Sequence, residues 1–246
     1  MSVIGIIPAR YASSRFPGKP LALIHGKSML QRVYEQAMQA NLISTLIIAT
    51  DDERISKHAE DFGARAILTS AHHVSGTDRC YEAYQNYGQT FDYVLNIQGD
   101  EPLLNPAQIN ELCAVADGVT EIATQMIKCN SHDVLFDTNE VKIALNTNQE
   151  ALLFSRNVIP FIKNKPEKEW HNSHDFYRHV GMYMYKTTVL KEITALSPGK
   201  LETAESLEQL RWLENGYKIK CIETKFDSHC VDTPEDLEKI KQLIPH

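Results

Sequence analysis

The chain has 246 residues, which is at the upper end for one domain and enough to bury a substantial core. Its 43% hydrophobic and 23% charged residues are typical of a soluble globular protein. A formal charge of −7 argues against a general binder of nucleic acid or of anionic membranes, because those proteins rely on a basic surface. A local cluster of cations in so acidic a chain is therefore informative.

The first half of the chain alternates short apolar runs with amphipathic stretches. Apolar runs of strand length occur at Val3–Ile7, Leu46–Thr50, Ala66–Thr69 and Tyr93–Ile97. Apolar residues recur at helical spacing in the stretches Ser28–Ala40, Glu53–Phe62, Asp78–Tyr87 and Pro106–Ala116. Such alternation is typical of βαβ units. The sequence therefore predicts an α/β fold with a doubly wound, mostly parallel (Rossmann-like) sheet.

The second half of the chain is less regular. Strands are predicted at Val141–Leu145, Leu152–Ser155, Val180–Tyr185 and Ile219–Glu223. Helices are predicted at Thr188–Leu196, at Ser206–Asn215 and from Pro234 onward. The polar segment Lys163–Asp175 is predicted to be mobile. Since there is no internal repeat or low-complexity linker, we expect residues 1–246 to form one compact domain with a smaller inserted lobe.

Loops that follow predicted strands are expected to open on one edge of the sheet. They are Ala9–Pro20, Asp51–Glu53, Ser70–Thr77 and Gln98–Pro102. In sheets of this kind, ligands bind beyond the carboxyl ends of the strands, where the strand order reverses. That shared edge is the predicted active site.

The loop after the first predicted strand carries three cations, Arg10, Arg15 and Lys19. The neighbouring sequence supplies no carboxylate to pair with them. Arginine forks match phosphate oxygens and lysine adds a compact charge, so a bound polyphosphate is the natural counter-charge. Two common phosphate motifs are excluded, because Leu21 stands where a Walker A motif needs glycine and no GxGxxG follows the first strand.

Two aspartates are candidates for a metal site. Asp100, within Gln98–Pro102, follows a predicted strand, and Asp232 lies far along the chain at the start of the last predicted helix. If the two converge, their carboxylates would hold Mg²⁺ against the phosphates of a nucleotide. The simpler alternatives are a solvated turn for Asp100 and a helix N-cap for Asp232, a role that Thr233 could also fill.

Small residues in the segment HVSGTDR favour close approach of a ligand. Ser75 and Gly76 would let the backbone lie against a base or a ribose, and Thr77 could cap the following helix.

Candidates for binding a second substrate come from the second half. Arg156 follows an apolar run, where its guanidinium would suit a substrate carboxylate. His179 and Tyr183 are four residues apart in a predicted strand and so share a face, either as ligands or as a structural pair. Glu208 and Gln209 open a predicted helix, with an ordinary solvated face as the alternative.

The five cysteines are scattered, without a CxxC pair. This pattern predicts reduced, buried thiols rather than a disulfide framework or a zinc site. No signal-like segment opens the chain, and no apolar run approaches the roughly 20 residues needed to span a bilayer. We therefore expect a soluble cytoplasmic protein that contacts no membrane.

Taken together, seven segments of the chain resemble the 3-deoxy-manno-octulosonate cytidylyltransferases (CMP-Kdo synthetases). They are IIPARYASSRFPGKPL, HVSGTDR, NIQGDEP, FSRNVIPF, YRHVGMYMY, SLEQLRWL and VDTPEDLE. The resemblance implies a fold of the nucleotide-diphospho-sugar transferase type and a homodimer. It implies that CMP passes from CTP to the acid sugar 3-deoxy-manno-octulosonate (Kdo), with Mg²⁺ as cofactor, for lipopolysaccharide synthesis.

The resemblance also implies roles for individual residues. It assigns nucleotide binding to Ala9, Arg10, Arg15, Lys19, Ser75 and Gly76. It assigns catalysis to Lys19, Asp100 and Asp232, of which the two aspartates bind metal. It assigns sugar binding to Gln98, Arg156, His179, Tyr183, Glu208 and Gln209. Two alternatives stay open: the same chemistry on another acid sugar such as a sialic acid, and a nucleotide-binding regulatory protein that has lost catalysis.

Overall fold

The computed structural model describes residues 1–13, 15–227 and 229–244. The strands, in chain order, are β1 (Val3–Ala9), β2 (Leu23–Ile24), β3 (Lys27–Ser28), β4 (Thr45–Thr50), β5 (Ala66–Leu68), β6 (Tyr93–Asn96), β7 (Ile122–Lys128), β8 (Lys142–Leu145), β9 (Ala151–Ser155), β10 (Tyr177–Lys186) and β11 (Ile219–Glu223). The α-helices are α1 (Met29–Ala37), α2 (Glu53–Asp61), α3 (Gly76–Tyr87), α4 (Pro106–Cys113), α5 (His132–Phe136), α6 (Thr187–Ile193), α7 (Lys200–Glu205), α8 (Gln209–Glu214) and α9 (Pro234–Leu243). Short 3₁₀ helices lie at Lys19–Leu21 and Glu167–Asn172.

One large sheet organises the molecule. Its strand order is β11-β7-β10-β6-β1-β4-β5, with β8 beside β10 and β9 beside β8. Strands β6, β1, β4 and β5 run parallel, and so do β7 and β11. Strand β10 runs antiparallel to both β6 and β7. The predicted doubly wound, mostly parallel sheet is therefore confirmed.

Strand β1 separates two apolar layers. Ile4 and Ile6 pack into one layer with helices α3, α6 and α8, whereas Val3 and Ile7 pack into the other with α1, α2 and α4. All four side chains are at most 1% exposed. The alternation follows from the two-residue period of a strand, and it buries both faces of the sheet. None of the described helices is long and apolar enough to cross a membrane.

Strand β7, between β10 and β11, was not predicted from the sequence. Two polar residues, Thr124 and Gln125, interrupt its apolar pattern, yet both are fully buried. The Thr124 hydroxyl donates to the Met182 carbonyl at 2.8 Å, and the Gln125 amide donates to the Gln108 carbonyl at 3.0 Å. Buried polar groups with such partners are tolerated in a core, so a central strand here needs no continuous apolar run.

The segment 163–175, predicted to be mobile, is mostly exposed but holds one buried side chain. It contains the 3₁₀ helix Glu167–Asn172, whose Trp170 is only 3% exposed. The Trp170 indole N–H donates to the Lys165 carbonyl at 3.0 Å, and the ring packs in a small cluster with Leu135 and Phe176. A single buried aromatic side chain can hold an otherwise polar segment in place, because it removes a large apolar area from water.

Candidate active site

Loops at the carboxyl edge of the parallel strands line a cavity of about 260 Å³. All the candidate nucleotide residues line it, namely Ala9, Arg10, Arg15, Lys19, Ser75 and Gly76, together with Gln98, Asp100 and Asp232. The loop after β4 reaches the same edge through Asp51, which accepts a hydrogen bond at 3.1 Å from the cavity residue Arg79. The prediction that the four loops open on one edge is therefore confirmed.

Two of the three cations of the first loop, Arg15 and Lys19, have counter-charges from distant parts of the chain, which the sequence analysis did not expect. The Lys19 ammonium donates to Asp100 Oδ2 at 2.6 Å and to the Val231 carbonyl at 2.8 Å, and it lies 3.5 Å from Asp232 Oδ1. The Arg15 guanidinium donates to Asp232 Oδ1 at 3.0 Å. These partners are 81 and 217 residues away in sequence, so no local pattern could reveal them.

Asp100 and Asp232 converge, as the metal hypothesis requires. One ligand atom of each, together with the sulfur of Cys230, lies within 4.8 Å of the others. Thr233, not Asp232, is the N-cap of α9, because its hydroxyl accepts a hydrogen bond from the Asp236 backbone N–H at 3.2 Å. The capping alternative for Asp232 is thereby removed, and its carboxylate faces the cations of the loop.

Two backbone contacts hold this convergence in place. The Val231 N–H donates to the Asp100 carbonyl at 2.9 Å, which joins the segment before α9 to the loop after β6. Gly99 packs against β1 so closely that a Cβ atom there would lie 2.8 Å from the Pro8 carbonyl oxygen. Only glycine fits at that distance without a backbone shift.

The charges of the site keep Lys19 protonated. Burial alone would lower the pKa of Lys19, but the interactions with Asp100, Cys230 and Asp232 together outweigh burial and the pKa is raised. Burial of its sulfur and the negative charges of Asp100 and Asp232 raise the pKa of Cys230. The site therefore presents a fixed cation beside two carboxylates and a thiol.

The amino end of α3 lines the first cavity. Ser75 is its N-cap and accepts a hydrogen bond from the Asp78 N–H at 3.1 Å, so the predicted capping role of Thr77 is wrong. Thr77 is buried instead and donates to the carboxylate of Glu208 at 2.7 Å. Gly76 begins the helix, where backbone N–H groups without helical partners favour negatively charged groups.

A second, larger cavity of about 720 Å³ adjoins the first. The two share three lining residues, Gln98, Asp100 and Asp232. The Gln98 amide donates to the Gly181 carbonyl at 2.7 Å, which ties the shared wall to strand β10. The predicted sugar residues Gln98 and His179 both line this second cavity.

His179 and Tyr183 form a ring contact on β10. Their ring centroids are 5.0 Å apart, and the Tyr183 ring lies edge-on to Trp212 at 5.1 Å. The His179 imidazole hydrogen-bonds with the Thr124 hydroxyl at 2.9 Å. Burial lowers the pKa of His179 to about 3, so the ring is neutral at physiological pH.

The other predicted sugar residues lie apart from this second cavity. Arg156 lines a separate cavity of about 380 Å³, where its guanidinium donates to the carbonyls of Glu205 and Thr138 at 2.8 and 3.1 Å. Glu208 lines another, of about 350 Å³, and burial raises the pKa of its carboxyl group. Gln209, the first residue of α8, is 6% exposed. Within the described residues, the predicted sugar set is thus not gathered in one place.

Several residues at the two cavities were missed by sequence reasoning. Arg79 and Arg178 line them, and both guanidiniums are ion-paired, with Asp51 and with Asp227 respectively. Arg79 lies one helical turn after Ser75, and this spacing could have indicated that the two residues face the same cavity. Cys230 differs from the other four cysteines, which are buried as expected: the residue as a whole is exposed, although its sulfur is largely covered.

Known proteins resemble the chain over nearly its whole length. A family model described as cytidylyltransferase matches residues 4–219. A 3-deoxy-manno-octulosonate cytidylyltransferase of Parabacteroides distasonis is 53% identical over 244 residues, covering 97% of this chain and 96% of the relative. The chain belongs to the 3-deoxy-manno-octulosonate cytidylyltransferase family.

Further members of this cytidylyltransferase family agree in length and fold. The relative from Bacteroides thetaiotaomicron is 50% identical over 249 residues, covering 99% of this chain and 98% of that protein. A solved CMP:2-keto-3-deoxy-manno-octonic acid synthetase complexed with CTP matches with a TM-score of 0.91 and 38% identity, covering 99% of this chain and 98% of that one. The resemblance seen in the sequence motifs is confirmed, and the chain is a nucleotidyltransferase.

Proposed function

We propose that this cytidylyltransferase transfers CMP from CTP to Kdo, giving CMP-Kdo and pyrophosphate. The observation that carries the proposal is the meeting of two cavities at Gln98, Asp100 and Asp232. A nucleotidyl transfer needs donor and acceptor on either side of one charged centre, so that the reacting atoms are brought together. The relatives named above carry Kdo in their names, and the solved structure is a complex with CTP.

The smaller cavity suits CTP. Arg10, Arg15 and Lys19 would bind the phosphates, and Ser75 and Gly76 would lie against the base or ribose. The oxygen of the anomeric hydroxyl of Kdo attacks the α-phosphorus in line, its proton passes to solvent, and the bond from that phosphorus to pyrophosphate breaks. The loop cations stabilise the negative charge that develops on the leaving pyrophosphate.

Asp100 and Asp232 would hold Mg²⁺. Their fit rests on the donor set, since two carboxylates converge at the open edge of the sheet and oxygen is the donor that Mg²⁺ prefers. When bound, the ion would neutralise charge on the phosphates. Lys19, which pairs with both carboxylates, would contribute a second positive charge beside the same phosphates.

The larger cavity suits an acid sugar. Gln98 and His179 would contact Kdo there, and His179 would act as a neutral hydrogen-bonding group because burial keeps its pKa low. Tyr183 supports the His179 ring by contact. We further propose that Arg156, Glu208 and Gln209 contribute to binding the same substrate.

We also propose the assembly and setting of the enzyme. The homodimer is the assembly that the resemblance of the sequence motifs implies. Residues 1–246 would act as one catalytic domain, in the cytoplasm, supplying CMP-Kdo for lipopolysaccharide synthesis. The acidic net charge supports small-molecule substrates rather than nucleic acid.

Pyrophosphate release tests the proposal directly. The full chain is incubated with CTP and Mg²⁺ and with either Kdo or a sialic acid, and pyrophosphate is measured. We expect turnover with Kdo, loss of turnover on chelation of the metal, and recovery when Mg²⁺ is returned. Turnover of sialic acid alone would identify another acceptor, and no release with either sugar would favour a regulatory nucleotide-binding protein.

A further inference from the structure

Lys142 is a buried cation that no step described above uses. It is the first residue of β8 and is 0% exposed, although lysine is almost never fully buried unless its charge has partners. Its ammonium donates to the carbonyl of Asp137 at 2.7 Å and to that of Glu140. Burial lowers the pKa of this lysine, because it disfavours the charged form. The fold therefore keeps a cation in an unfavourable place, and there it binds two carbonyls of one loop.

The loop that carries these carbonyls, residues 137–140, lies at the surface. Asp137, Thr138 and Asn139 are exposed, so polar contacts rather than apolar burial fix its position. A second cation holds the middle of the loop, because the Arg156 guanidinium donates to the Thr138 carbonyl at 3.1 Å. One cation from β8 and one from the end of β9 thus hold the backbone of this loop.

The same loop forms part of the wall of the larger cavity. Asn139 and Glu140 line that cavity together with His179. The backbone N–H of His179 donates to the Val141 carbonyl at 2.7 Å, so the end of the loop is joined to β10 beside a predicted sugar residue. The position of the loop therefore sets the shape of the space in which Kdo would lie.

We propose that Lys142 is a positioning residue for the acceptor sugar: its ammonium holds Asn139 and Glu140 on the cavity wall, where they bind hydroxyl groups of Kdo. Amide and carboxylate oxygens accept hydrogen bonds from hydroxyls, and a polyhydroxylated acid sugar offers several. This rests on the proposed function, because it takes Kdo as the occupant of the larger cavity. Arg156 then acts on the acceptor through the Thr138 carbonyl, although its own side chain lines a separate cavity.

Steady-state kinetics of Lys142→Met test the proposal. Methionine is similar to lysine in length but lacks the ammonium, so the two loop carbonyls lose their donor. We expect KM for Kdo to rise about tenfold, the effect of about one lost hydrogen bond, while KM for CTP stays within about twofold. The matched control is Lys186→Met, because Lys186 donates to the Gly118 carbonyl at 2.7 Å at the other end of β10. That variant should leave both KM values unchanged.

Asn139→Ala keeps the proposal testable if Lys142→Met fails to fold. Asn139 is exposed, so its replacement should leave the fold intact. We expect KM for Kdo to rise about three- to tenfold and KM for CTP to stay unchanged. An unchanged KM for Kdo in Asn139→Ala or in folded Lys142→Met would overturn the proposal. An equal rise in KM for both substrates would do the same, because it would indicate general damage rather than a displaced wall.

Hydrogen exchange supplies a readout that does not depend on turnover. Without substrates, the backbone amides of residues 137–141 should exchange about tenfold faster in Lys142→Met than in the native protein, and at the native rate in Lys186→Met. Native exchange in Lys142→Met would show that the lysine does not hold the loop. If the native protein releases no pyrophosphate with Kdo, the proposed function itself fails, and the role of Lys142 at the acceptor fails with it. If the native protein turns over Kdo and Lys142→Met keeps the native KM, only this inference fails.

Discussion

Replacing Asp100 with asparagine tests the centre that the two cavities share. The change removes a negative charge 2.6 Å from Lys19, in a pair whose side chains are 14% and 23% exposed. An exposed pair contributes about 0–1 kcal/mol, whereas removing one partner of a buried pair costs about 3–5 kcal/mol. Lys19 keeps the Val231 carbonyl at 2.8 Å and Asp232 at 3.5 Å. We therefore expect a loss of only about 1 kcal/mol in the free energy of unfolding.

The loss of activity in Asp100→Asn should be much larger than the loss of stability. Removing one of the two carboxylates that would hold Mg²⁺ against the transferring phosphates should lower kcat by about 10²- to 10³-fold. Pyrophosphate release at saturating CTP and Kdo measures kcat, and urea unfolding measures stability. The matched control is Asp133→Asn, because the Asp133 side chain is 100% exposed and should change neither quantity. Native turnover in Asp100→Asn, or inactivity explained by unfolding, would refute the reasoning.

Three other substitutions probe the surroundings of the centre. Burial lowers the pKa of His179 to about 3, so the unfolded chain binds more protons below about pH 6.5, and stability falls as the pH falls from there towards 3. The free energy of unfolding is measured with urea at pH 7 and at pH 5. Between these two pH values it should fall by about 1–2 kcal/mol less in His179→Gln than in the native protein; an equal fall would contradict burial of the ring. Arg79→Met removes a buried guanidinium and leaves the Asp51 carboxylate, whose side chain is 13% exposed, without its partner. It should cost about 3 kcal/mol, seen as a lower Tm, and an unchanged Tm would argue against that ion pair. Arg54→Ala removes a guanidinium 3.4 Å above the ring of Tyr11 on the cation loop and should raise KM for CTP about two- to fivefold, whereas Arg65→Ala, which removes a similar stack on another ring, should leave KM unchanged.

Sequence patterns predicted the strands and helices whose apolar residues recur at a regular spacing. The strands and helices of the first half follow from apolar periodicity, and the candidate nucleotide residues follow from loops after strands. Strand β7 escaped because the polar Thr124 and Gln125 find partners only in the folded core. The pairing of Lys19 with Asp100 could not be read either, since 81 residues separate them.

The residues predicted to bind the sugar show more clearly that sequence alone does not place distant side chains. Arg156 was a reasonable partner for a substrate carboxylate by residue type, but the fold gives its guanidinium two carbonyl partners at a separate cavity. Cys230 was expected to be buried, but the residue is exposed. Its exposure depends on where the segment before α9 lies in the folded chain, which residue type does not reveal. Residue type predicts the chemistry that a side chain can perform, and only tertiary contacts decide where it is performed.

Strand β10 has a mechanical consequence for how the enzyme can move. It pairs with β6 through Tyr183–Lys186, with β7 along most of its length, and with β8 through Tyr177 and Arg178. Backbone hydrogen bonds of β10 thus join β6 to β7 and β8, with one register shift against β7 between Val180 and Tyr183, and a hinge between these strands would have to break them. Any closure over the substrates should therefore come from movement of the loops at the sheet edge, while β10 keeps the strands on its two sides at a fixed distance.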